Sequence, residues 1–136
     1  MQLSLDKDLQ RYAIHAYDET SISLIQPVHL VTETGQRLVR VEHSLLLTGQ
    51  EHQSWEPLCL DEIREKHMEA VLAYEPEVVL LGCGKRMRYP PAEILAPLHR
   101  RGIGVEVMNT AAACRTFNIL ASEGRDLVAL ILPPSA

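Results

Sequence analysis

Two short stretches carry residue types that could do chemistry. Gly82-Cys83-Gly84-Lys85-Arg86 follows the apolar run EVVLL, and Met108-Asn109-Thr110 precedes a run rich in alanine. Glycines allow a ligand to approach the backbone closely, and the free N–H groups of a helix start attract anions. In an open α/β sheet, ligands favour the crevice beyond the carboxyl ends of parallel strands, so both stretches are expected to face one crevice. The chemistry suggested is a pocket for a small anion or polar metabolite. Gly82, Cys83, Gly84, Asn109 and Thr110 would line it, and Lys85, Arg86 or Arg115 would recognise the negative group. A structural reading uses the same residues: glycines turn the chain after a buried strand, Asn or Thr caps a helix, and the basic group Lys85, Arg86 and Arg88 forms a solvated rim. The GxGxxG fingerprint fails because Met87 stands at its last glycine position, and no GxxxxGK[ST] phosphate loop is present.

Thiols and imidazoles add little. Cations and helix starts activate cysteine, which draws attention to Cys83 beside Lys85 and to Cys114 near a helix start. Cys114 sits in AAAC, however, where small residues imply close helix-on-sheet packing and an inert buried thiol. The six histidines, His15, His29, His43, His52, His67 and His99, show no HExxH or paired Cys/His spacing, so neither a metal site nor a cofactor is indicated. His67 and His99 are expected to be partly exposed on helices. No catalytic residue is assigned.

From Tyr12 to about Thr48, the runs YAIHAY, SISLI, VHLVT and SLLLT alternate with turn signals at Asp18-Glu19, Gln26-Pro27 and Thr34-Gly35, which predicts an antiparallel β-meander. Residues 49–56 read as a polar loop pinned by Trp55. Asp61 is expected to cap a helix to about Tyr74, with Ile63, Ala70, Val71 and Tyr74 inward and Glu62 paired with Lys66. Glu77 to Leu81 reads as a strand buried on both faces, and Gly82 as a turn in a backbone conformation that a β-branched side chain resists. Pro91 suits the first turn of a second helix, in which Pro97 predicts a kink or a late start. Ile103 to Met108 reads as a strand, Asn109 or Thr110 caps a helix to about Glu123, Gly124 closes it, and Leu127 to Leu132 is a last strand. Strand, helix, strand, helix, strand implies partly parallel pairing with right-handed crossovers. The fold class expected is α/β, a three-layer single domain over residues 1–136 with a mixed central sheet and an N-terminal meander.

Composition bounds the function. A chain of 136 residues with 46% hydrophobic and 23% charged content suits one core and folding without a partner. Thirteen basic against eighteen acidic residues give a net charge of -5, the wrong sign for affinity built on neutralising phosphates, so nucleic-acid binding is not expected. Three unpaired-looking cysteines fit a reducing compartment. The start, MQLSLDKDLQ, has neither signal-peptide nor presequence character, and no apolar stretch nears the ~20 residues that span a bilayer, so a cytoplasmic location without membrane insertion is expected.

The run MNTAAACRTFNILASEGRDLVALILP from Met108 to Pro133, GCG after EVVLL, and the single Trp55 before a helix resemble the small family of unknown function that includes mitochondrial complex I assembly factor 3 and the adipogenesis-associated protein. Nearly the whole chain is covered. The resemblance implies a three-layer domain and an accessory role through a protein partner of unknown identity, without an established catalytic activity. The family pattern has Thr where Cys83 stands, Asp where Asn109 stands and Tyr where Phe117 stands. Losing a hydroxyl, a carboxylate and a phenol while keeping similar shapes favours structural roles at these positions.

Overall fold

The strand Val78–Gly82 (β6) explains the architecture, because each of its five residues is buried and its side chains alternate between two cores. Val78 and Leu80 enter one core, Val79 and Leu81 the other. Such a strand must lie inside a sheet covered on both faces. The computed structural model describes residues 10–31 and 35–136 and places it so. The sheet runs in the order β5 (His52–Ser54), β4 (Leu45–Leu47), β8 (Leu127–Ile131), β6, β7 (Gly104–Met108). β6 pairs in parallel with β7 and β8, and β4 runs antiparallel to β5 and β8.

A second, antiparallel sheet of β1 (Ala13–Tyr17), β2 (Ile22–Ile25) and β3 (Leu38–Val41) covers one side together with helix α3 (Thr110–Ser122). Ile14, Ile22, Leu24 and Val41 from this sheet share a core with Phe117 and Cys114 of α3 and with Leu80 and Ala129 of the central sheet. Helices α1 (Glu65–Val71) and α2 (Ala92–Arg100) pack on the opposite face over Val79, Leu81, Val128 and Leu130. The result is the expected α/β three-layer arrangement with a mixed central sheet.

Several expectations are corrected. Val28–Leu30 of the run VHLVT forms a 3-10 turn, entered from the extended backbone of Pro27, and the third strand is Leu38–Val41. The run SLLLT supplies β4, which leaves the meander and joins the central sheet. The supposed loop 49–56 contains β5, which has no apolar residue and exists through its pairing with β4. Asp61 caps nothing: it lies in the 3-10 turn Leu60–Glu62, and α1 starts after Arg64, whose N–H donates to Nδ1 of His67 at 2.8 Å. His67 is accordingly buried, Met68 fills the inward position and Ala70 is exposed. Lys66 pairs with Glu56, whereas Glu62 accepts from the Leu58 N–H. The helix containing Pro97 starts at Ala92 and runs past the proline to Arg100, with Pro97 buried. The opening residues 1–9, Thr32 and Thr34 lie outside the described residues.

Candidate functional site

The ends of β6, β7 and β8 meet as the spacing predicts, and the chain knits them together. The Cys83 N–H donates to Met108 at 2.9 Å, and the Leu132 N–H donates to Gly82 at 2.9 Å, which extends the parallel ladder by one bond on each side. Asn109 caps α3 by accepting the Ala112 N–H on Oδ1 at 2.8 Å. Thr110, completely buried, lies at the centre. Its Oγ1 accepts the Gly84 N–H at 2.9 Å and donates to the Leu132 carbonyl at 2.7 Å, while its own N–H donates to the Gly84 carbonyl at 2.8 Å. The Lys85 N–H donates to the carbonyl of Ala136 at 2.9 Å. Backbone donors of the glycine turn are thus engaged within the chain.

The glycines are required for different reasons. Gly82 has no positive φ, contrary to expectation; a β-carbon there would stand 3.0 Å from that of Ala113, so close approach of α3 is what excludes a side chain. Gly84 carries the left-handed conformation, with φ of 100°, and a β-carbon on it would fall 2.3 Å from the Ala136 carbonyl oxygen. Small residues in α3 serve the same contact: Ala113 and Cys114 are fully buried. Burial pushes the Cys114 thiol up to about 12, with the Arg115 charge acting in the opposite direction.

The predicted site residues therefore separate. Gly82, Gly84, Asn109 and Thr110 form the joint between strands and helix. Arg115 stands apart, donating to the Tyr17 hydroxyl at 3.3 Å across the α3–β1 contact. Cys83, Lys85 and Arg86 line a different depression, a cavity of about 350 Å³ shared with Cys59, Leu60 and Arg88. The Cys83 thiol organises its wall, donating to the Arg86 carbonyl at 3.1 Å and accepting the Arg88 N–H at 3.2 Å. Arg88 reaches across to Asp61 at 2.8 Å. Nothing local in the sequence links positions 59–61 to the turn after β6, so Cys59 and Asp61 join this site only through the fold.

A second polar depression of about 340 Å³ lies where β6 and β8 begin, between Arg11, Glu51, Tyr74 and Asp126. Arg125 on its rim is paired with Glu77 at 2.7 Å. Among the described residues no three His, Cys, Asp or Glu side chains are placed to hold a metal ion, and no helix is long and apolar enough to cross a membrane.

A family profile described as "Protein of unknown function (DUF498/DUF598)" matches residues 14–132. The chain belongs to the DUF498/DUF598 family. The NADH dehydrogenase [ubiquinone] 1 alpha subcomplex assembly factor 3 of Bos taurus is 32% identical over 129 residues, covering 87% of this chain and 70% of that protein. The "13 kDa major membrane protein" of Francisella tularensis is 33% identical over 73 residues, covering 54% of this chain and 59% of the relative's length. A crystal structure of a Bordetella parapertussis protein superposes with a TM-score of 0.76 at 30% identity, covering 90% of this chain and 96% of that one. The family resemblance read from the residues is thereby shown, as is the fold.

Proposed function

We propose that this DUF498/DUF598 chain is a non-enzymatic accessory factor of the cytoplasm that works through contact with a protein partner during assembly of a larger complex. One observation carries the reading. The crevice beyond the parallel strand ends, where open α/β sheets take their ligands, is occupied by the chain's own Thr110, Leu132 and Ala136. Its thiol candidate on α3 is buried with a pKa raised to about 12, the opposite of an activated nucleophile. The name of the bovine relative, an assembly factor, points in the same direction.

Affinity purification of the chain from its native cells, with identification of everything that elutes, tests this. Repeated recovery of one protein complex supports it, and a stoichiometric metabolite without protein contradicts it. The alternative, a small-anion or metabolite binder, draws on Lys85 and Arg86, which form no ion pair among the described residues. On that reading phosphate raises the melting temperature saturably and beyond chloride at matched ionic strength, and Lys85→Ala with Arg86→Ala abolishes the response.

A further inference from the structure

The cavity beside Cys83 does not stand alone. On the other side of the Arg88–Asp61 ion pair lies a groove of about 310 Å³, lined by Leu60, Ile63, Pro91 and Ile94 and flanked by Tyr89. Leu60, Asp61 and Arg88 border both depressions, so the two form one surface. At its cavity end stand the exposed Lys85 and Arg86, and at its groove end the floor is aliphatic. Tyr89, which borders the groove, is 66% exposed, and Met87 two residues before it is 48% exposed.

We infer that this surface docks an extended segment of a partner protein in which carboxylates sit next to apolar side chains. The inference deepens the accessory-factor reading and rests on it. Charge complementarity selects the occupant. Lys85, Arg86 and Arg88 fall within four positions of a chain whose net charge is -5, so they make a local positive spot on an acidic protein. Arg88 is held by Asp61, which leaves Lys85 and Arg86 for an incoming anion. A free inorganic anion would engage only that pair. An acidic and apolar segment would also cover the exposed Tyr89 and the half-buried Ile94 of the groove, which is where desolvation contributes to affinity. The Cys83 thiol, bonded to both Arg86 and Arg88, holds the basic loop in the shape presented to the partner.

Photo-crosslinking in the native cells tests the surface. The full chain carries p-benzoylphenylalanine in place of Tyr89, with the same replacement of Ile119 on the exposed side of α3 as a control. The expected result is crosslinking from position 89 to segments holding Asp or Glu beside apolar residues, reduced about tenfold by Lys85→Glu with Arg86→Glu. Both cations are exposed, so folding is retained and is checked by melting temperature. Crosslinks to basic or uncharged segments, to a second copy, or insensitive to the charge reversal overturn the inference. Crosslinks from 119 alone overturn this surface while leaving the accessory reading intact, and none from either position counts against both.

Discussion

Thr110 and Gly84 are bonded to each other twice, Gly84 N–H to the Thr110 hydroxyl at 2.9 Å and Thr110 N–H to the Gly84 carbonyl at 2.8 Å. The pair locks the turn after β6 to the first turn of α3, and the hydroxyl extends the lock to Leu132 of the segment after β8. Thr110→Val keeps the shape and removes the hydroxyl, leaving the Gly84 N–H and one acceptor of Leu132 without their buried partner. The expected cost is about 1–3 kcal/mol, lowering the melting temperature by about 3–5 °C per kcal/mol. Thr110→Ser should keep most of the stability. A stable Thr110→Val beside a destabilised Thr110→Ser would show that the methyl group, not the hydroxyl, matters.

The two glycines of the turn should respond differently to substitution. Gly84→Ala combines a left-handed backbone with a β-carbon 2.3 Å from Ala136, so it should both destabilise the fold and displace the segment Pro133–Ala136. Gly82→Val should cost about 1–3 kcal/mol by overpacking against Ala113 rather than through backbone strain. Gly82→Val combined with Ala113→Gly distinguishes the causes: recovery of part of the lost melting temperature is expected from packing, and none from strain.

The parts of this arrangement that the sequence made legible are those whose side chains state their own burial. EVVLL, the segment from Ile103 to Met108, and the run after Asn109 each carry an apolar pattern bounded by Gly, Pro or a cap, and each became the expected element. Elements created by pairing were invisible. His52-Gln53-Ser54 is a strand because β4 offers it an edge, and Leu38-Val39-Arg40-Val41 hid behind an arginine that points to solvent. Local competition decided two other cases: the extended Pro27 led VHL into a 3-10 turn, and His67 reached back to the Arg64 N–H and so moved the start of α1 away from Asp61. Of the candidate site, the strand-end residues did meet. That Thr110 would fill the crevice, and that Lys85 and Arg86 would turn toward Cys59 and Asp61, depends on contacts across distant sequence that no local pattern records.

Thiol reactivity should rank by exposure. Iodoacetamide at about pH 8 should modify the partly exposed Cys59 first, Cys83 more slowly, and Cys114 only when the chain unfolds. The Cys114 shift also sets an alkaline limit. Its folded pKa of about 12 exceeds the ordinary 9.0, so the native state holds the proton more tightly. The associated stability is complete below pH 9.0 and is lost as pH rises toward about 12. Cys114→Ala should flatten that alkaline decline, and an identical decline in the variant would assign it elsewhere.

At the acid end the carboxylates set the direction. Asp18 accepts the N–H groups of Thr20 and Ser21 and the Ser21 hydroxyl, which holds its carboxyl below the ordinary 3.8 and closes the β1–β2 hairpin. Arg125 depresses Glu77, and His67 with Lys66 depresses Glu56, both below the ordinary 4.5. A lowered folded pKa contributes stability that is present above these ordinary values and is lost as pH falls through the depressed ones. Melting temperature should therefore fall on acidification below about pH 4, and the fall should be smaller in Asp18→Asn, whose amide oxygen still accepts but no longer titrates. An unchanged slope in Asp18→Asn would remove this carboxylate from the acid response.

The central claim, that this family member acts on the assembly of a complex rather than on a small molecule, is tested most directly by size-resolved proteomics of native membranes and cytosol from cells lacking the chain. The expected profile shows one multisubunit complex depleted in its mature form, with its subunits shifted to smaller assemblies, and restoration by wild type but not by Lys85→Glu with Arg86→Glu. Intact complexes throughout, together with accumulation of a single metabolite that the wild-type chain clears, would contradict it.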